Sequence, residues 1–153
     1  ISGVALSLIE CYSLLDKNRK RKVYRCLCYL FKTLVNMYSN ILDMTYYVGR
    51  LGILSTLVRI SQITKQEIPQ KILNSKVSLI NQALQNTPAD FLTGFSSSIL
   101  ACEEDEYSEE FLRTMINRFK ELKQYDSNHN YIYWGKEESN NVSLAHGNAG
   151  IEI

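Results

Sequence analysis

Proline is nearly missing from this chain, present only at Pro69 and Pro88, each just ahead of an expected helix or turn. No apolar run approaches the roughly 18 residues that span a bilayer, so a transmembrane segment is not expected. Charge of one sign is not in excess either. With 17 basic and 16 acidic residues the net charge is +1, so the whole-molecule field argues for neither a nucleic-acid nor a membrane partner. The four cysteines, Cys11, Cys26, Cys28 and Cys102, form no C-x-x-C pair and sit inside apolar patterns, which reads as reduced core residues. On a helix Cys26 and Cys28 point to different sides, which disfavours a metal clip there. There is no Walker loop, dinucleotide fingerprint or nucleophile elbow. The start lacks a basic region, apolar stretch and small-residue cleavage site, so a cytoplasmic location is the expectation.

What is present is an ordinary globular composition, 45% apolar and 22% charged over 153 residues, enough for one domain with a real core. The chain begins and ends inside patterned segments, Ile1-Ser2-Gly3-Val4-Ala5 and Ala149-Gly150-Ile151-Glu152-Ile153, and is expected to be part of something longer. Glycine, followed three residues later by glycine or serine and then by an aliphatic run, recurs along it. Gly3, Gly52, Ser97 and Gly150 take equivalent places at intervals of about 45 to 53 residues, a unit of two helices and two connections.

Each unit reads as a mostly apolar helix, a polar link and a sharply amphipathic helix. The apolar helices fall at about 4–15, 51–62 and 95–102, with few charges, which predicts burial on more than one side. The amphipathic ones carry stripes at Val23, Leu27, Leu30, Leu34 and Met37; at Leu73, Val77, Ile80 and Leu84; and at Phe111 or Leu112, Met115, Phe119 and Leu122. Stacked hairpins of this kind predict an all-α fold in two layers, an inner ring of apolar helices and an outer ring of amphipathic ones. The glycines are expected where a helix start crowds its neighbours or takes an unusual φ. Residues just before them are then presented at one end of a central cavity, beside free N–H groups and the positive end of a helix dipole.

Several residues there can carry chemistry. His146, in Leu144-Ala145-His146-Gly147-Asn148-Ala149-Gly150, is either a proton donor or acceptor active near neutral pH or a helix-start histidine bonded to backbone. Asp90 lies four residues before Gly94 and is either a partner for such an acid or a turn-capping aspartate. Tyr46 and Tyr47 line the cavity or pack in the core. The basic block from Lys17 to Arg25 reads as a solvated link that could also grip an anion. The acidic block from Glu103 to Glu110 reads as the start of a helix, where the dipole favours it.

The turn Leu144-Ala145-His146-Gly147-Asn148-Ala149-Gly150-Ile151, together with Asp90-Phe91-Leu92-Thr93-Gly94, Ser2-Gly3-Val4-Ala5 and Gly49-Arg50-Leu51-Gly52-Ile53, resembles the lanthionine synthetase C-like cyclases. The likeness covers essentially the whole chain. It is closest to the cyclase domain of bacterial lantibiotic-modifying enzymes. It implies an α/α toroid, incomplete here, with residues 1–153 a partial cyclase domain truncated at both ends. It implies thioether ring formation by addition of a peptide cysteine thiol to dehydroalanine or dehydrobutyrine, with His146 the candidate general acid and Asp90 its candidate partner. It further implies catalytic zinc bound by two cysteines and a histidine. Those ligands lie in later motifs, including a Cys-His-Gly turn absent from this chain, so zinc binding and turnover are not expected of residues 1–153 alone. The implied partner is a dehydrated precursor peptide, with a dehydratase fused or separate. Ser97 departs from the family pattern, which has glycine there. Two other readings stand beside this one: a non-catalytic binding module of the same family, and an α/α-toroid glycosidase, which wants a pair of cavity carboxylates that Asp90 alone does not supply.

Overall fold

Asp16 starts the longest helix of the chain. Its side chain accepts from the Arg19 N–H at 2.9 Å, an N-cap worth about 1 kcal/mol, and the basic run that follows is therefore the first turns of a helix rather than a link. The computed structural model describes residues 1–101, 109–127 and 131–134. Among these the elements are α1 (Ser2–Tyr12), α2 (Lys17–Tyr38), α3 (Arg50–Thr64), the short α4 (Gln70–Leu73), α5 (Lys76–Asn86), a 3₁₀ helix (Phe95–Ala101), α6 (Glu109–Leu122), and strands β1 (Lys123–Asp126) and β2 (Tyr131–Trp134). The all-α expectation holds, with one small antiparallel hairpin added. Its strands pair Lys123 with Trp134 and Asp126 with Tyr131. The hairpin is not among the elements expected from sequence, although Tyr131-Ile132-Tyr133-Trp134 is a β-favouring run. Trp134 Nε1 donates to the Phe119 carbonyl at 2.9 Å and ties it to α6.

The helices stack as consecutive hairpins. α3 packs against α1, α2, α5 and the 3₁₀ helix, and α5 packs against the 3₁₀ helix and α6. The core runs through Leu27, Phe31, Leu34 and Tyr38 of α2 and Leu51, Leu54, Leu57 and Ile60 of α3. α3 is buried nearly all round, as expected. Its two buried threonines donate to the carbonyl four residues back, Thr56 to Gly52 at 2.7 Å and Thr64 to Ile60 at 2.9 Å, which satisfies their hydroxyls in an apolar setting. Tyr24 reaches from α2 to the Thr64 carbonyl at 3.1 Å and closes the helix end. α1 departs from the expectation: only Ala5 is fully buried there, and Val4 is 60% exposed.

Two of the three stripes shift. On α2 the expected set follows a period of 3.5, but a straight helix has 3.6 residues per turn, so the buried line drifts to Phe31 and Tyr38 in place of Leu30 and Met37. On the second unit the helix breaks at Asn74 and Ser75, where Tyr38 Oη meets Ser75 Oγ at 2.5 Å and Ser75 Oγ donates to the Ile72 carbonyl at 2.6 Å. The break resets the phase: Leu73 and Val77 are exposed, while Ile72, Leu79, Ile80, Ala83 and Leu84 are buried. α6 follows the expected stripe, with Phe111 rather than Leu112 facing inward and Met115 buried. The expected third apolar helix is a 3₁₀ turn in which Ser96 and Ser97 bond to backbone carbonyls. Ser96 Oγ donates to the Ala89 carbonyl, and Ser97 Oγ to the Gly94 carbonyl at 3.3 Å.

Candidate functional site at the glycine turns

Of the three glycine turns within the described residues, the second and third are closed the same way. The Arg50 N–H donates to the Asp43 carbonyl at 2.9 Å, and the Phe95 N–H to the Pro88 carbonyl at 3.0 Å. Donor and acceptor are each 45 residues on in the third turn, so the interval read between Gly52 and Ser97 is a real structural repeat.

At Gly49, Gly52 and Gly94 the glycines serve close approach alone. Gly49 has an extended φ of −119°, and no described glycine has the positive φ that was one of the two reasons expected for them. A Cβ on Gly49 would meet Asp43 Oδ1, on Gly52 the Tyr46 carbonyl oxygen, and on Gly94 the carbonyls of Pro88 and Asp90. Gly3 is different, with nothing within 4 Å of such a Cβ, so the first turn is not crowded among the described residues.

Inside the second turn Asp43 is the organising side chain. Its Oδ1 accepts from Thr45 N at 2.7 Å and Thr45 Oγ1 at 2.5 Å, and Thr45 is completely buried. Arg50 clamps the preceding link: Nε donates to the Ile41 carbonyl at 2.5 Å, Nη2 to the Ser39 carbonyl at 3.3 Å, and the guanidinium lies 5.8 Å from the Tyr38 ring centroid. Neither residue was singled out from sequence, although Asp-x-Thr before a glycine is a recognisable side-chain-closed turn. In the third turn Asp90, half-buried, takes the repeat position of Thr45. Its Oδ1 accepts from the Thr93 N–H at 2.6 Å, so it closes the turn that presents it.

The two turns touch through aromatic rings. Tyr47 packs edge-on against Tyr46 with centroids 5.4 Å apart at 85°, and against Phe91 at 5.4 Å and 55°. Tyr46 Oη lies 3.5 Å from Ser55 Oγ, on the side of α3. Asp90 therefore sits directly beside a three-ring cluster that joins consecutive units.

His146 and the fourth turn lie outside the described residues, as do Cys102 and the acidic residues from 103 to 108. Glu109 is described and accepts from Arg113 Nη2 at 2.8 Å, an exposed pair within α6. The basic residues are solvated: Arg19 pairs with Asp16 at 3.3 Å, and Lys20 Nζ lies 5.9 Å from the Tyr12 ring centroid. The cysteine reading is corrected. Cys11 and Cys26 are exposed and Cys28 is half-buried, all three as free thiols, because α1 buries little and the α2 stripe passes between them at Leu27. Among the described residues no three His, Cys, Asp or Glu side chains gather into a set that could hold a metal. No described helix is long and apolar enough to cross a membrane.

The family model for lanthionine synthetase C-like protein matches residues 1–153. No curated protein and no solved structure matches the chain.

Proposed function

The chain belongs to the lanthionine synthetase C-like family, and from that premise we propose that it supplies the proton-transfer side of a thioether-forming peptide cyclase. The family points at its own level to a lanthionine synthetase-type cyclase. In the proposed reaction a peptide cysteine thiolate attacks the β-carbon of dehydroalanine or dehydrobutyrine. The C–S bond forms as the C=C π bond breaks, the electron pair moves onto the α-carbon and its amide, and a proton delivered to the α-carbon completes the ring.

His146 is the proposed donor of that proton, since an imidazolium titrates near the operating pH and loses its proton readily. Asp90 is the proposed partner that orients or charge-balances it. The α/α toroid, with the glycine turns at one mouth of its cavity, belongs to the same proposal. Zinc enters this proposal only as a group held by later motifs of the complete domain. The observation that carries the reading is the family match across residues 1–153. It is supported by two turns of one construction, the second presenting Asp90.

A second reading has its own observation. The Asp90 carboxylate is already used to hold the Thr93 N–H, which is all that a turn aspartate in a non-catalytic binding module needs to do.

Thiol counting separates the two. Ring closure leaves the peptide mass unchanged, so the full-length protein is incubated with dehydrated precursor, remaining thiols are alkylated, and the adducts are counted by mass spectrometry. A cyclase removes alkylatable thiols with time, and His146→Ala slows that loss by about 10² to 10⁴-fold, the usual worth of a positioned acid. An unchanged rate removes His146 from the mechanism. No loss with the unaltered protein leaves the binding module.

A further inference from the structure

Tyr47 is built to be stationary and yet open. Its ring is wedged between Tyr46 and Phe91, one contact within its own turn and one to the next, while 49% of the residue remains exposed. Tyr46 spends its hydroxyl beside Ser55, whereas what holds Tyr47 is its ring, packed on Tyr46 and on Phe91. Val48 beside it is 52% exposed, so the rim at this point is apolar. Phe91, the ring that fixes its tilt, is the residue next to Asp90.

We propose that Tyr47 is a substrate-recognition residue, whose open ring stacks on the planar dehydroalanine or dehydrobutyrine of the precursor peptide beside Asp90. This rests on the cyclase reading above and deepens it. The chemistry that selects the occupant is shape. Dehydration turns the tetrahedral α-carbon of serine or threonine into an sp² centre conjugated with its amide, which makes a flat, weakly polar face. A flat face packs on an aromatic ring with good contact, whereas the hydroxylated precursor residue is neither flat nor apolar. A rotating ring would lose much of that gain to immobilisation, but Tyr47 is already held by Tyr46 and Phe91. The contact therefore discriminates a dehydrated peptide from its unmodified form.

The test is equilibrium binding of fluorescently labelled precursor peptide, dehydrated and unmodified, to the full-length protein. The unaltered protein should prefer the dehydrated form. Tyr47→Leu, which keeps bulk but not a flat ring, should weaken that preference by about threefold to tenfold, the range of an aromatic pair. Tyr47→Phe should keep it. Thermal unfolding of both variants close to the unaltered protein would show that the turn survives, and Phe91→Leu is a second variant that should weaken the preference by freeing the ring. If the unaltered protein prefers the dehydrated peptide and Tyr47→Leu preserves the full preference, this inference is overturned while the cyclase reading stands. If the unaltered protein shows no preference, the inference falls, and thiol counting then decides whether the cyclase reading falls with it.

Discussion

Alanine at Gly52 and alanine at Gly3 should move stability in opposite directions. Both glycines lie in the first turn of a helix, α3 and α1 respectively, and in each case alanine gains as much as about 1 kcal/mol of intrinsic helix propensity. What differs is space. At Gly3 a Cβ meets nothing within 4 Å, so the propensity gain stands and the change should stabilise by about 0.5 to 1 kcal/mol. At Gly52 the Cβ runs into the carbonyl oxygen of Tyr46, which is backbone and cannot rotate away. The helix start and the turn must then separate, at an overpacking cost of about 1 to 3 kcal/mol, and a rigid neighbour places this site at the upper end. Subtracting the propensity gain leaves a net loss of about 2 kcal/mol. For a chain of this size that is about 4 to 8 °C in Tm. Urea unfolding of the two variants beside the unaltered chain measures it directly. A neutral or stabilising Gly52→Ala would refute the close-approach account of the glycine turns, and a destabilising Gly3→Ala would refute the account of α1.

Asp43→Ala should cost about 2 kcal/mol, because it strips acceptors from the backbone N–H and hydroxyl of the fully buried Thr45; equilibrium unfolding checks this, and a loss within about 0.5 kcal/mol of zero would show that the carboxylate does not organise the turn. Residues 1–153, purified alone and subjected to metal analysis, should hold no stoichiometric zinc. One zinc per chain would mean that this segment carries metal ligands of its own, with Cys11, Cys26, Cys28 and Cys102 the first to substitute in locating them.

Much of the architecture is local and therefore legible in the sequence. Helix periodicity is intrinsic to the backbone, so α2, α3 and α6 can be read from their apolar spacing, and the second and third turns from Gly49, Gly52, Gly94 and Ser97. The motif resemblance to the lanthionine synthetase C-like family is local in the same sense, and the family match across the chain agrees with it. Phase is less local. Whether Leu73 and Val77 face in or out depends on a helix break held by Tyr38, 37 residues away from Ser75, and no window around residue 75 contains that partner. Exposure of Cys11 and Cys26 follows from how little α1 covers, which hydropathy cannot register, because a cysteine looks apolar on either face.

The candidate site divides along the same line. Sequence by itself identified Asp90 and the glycine repeat, since a carboxylate at a fixed distance from a glycine is a property of the chain. The bonds by which Asp43 and Asp90 close their own turns are local, and only the tertiary structure decided that Tyr47 reaches Phe91 across 44 residues of sequence. The reason is that a turn's shape comes from a few neighbouring bonds, whereas the surface shared by two turns depends on how α3, α5 and the 3₁₀ helix pack to bring them together.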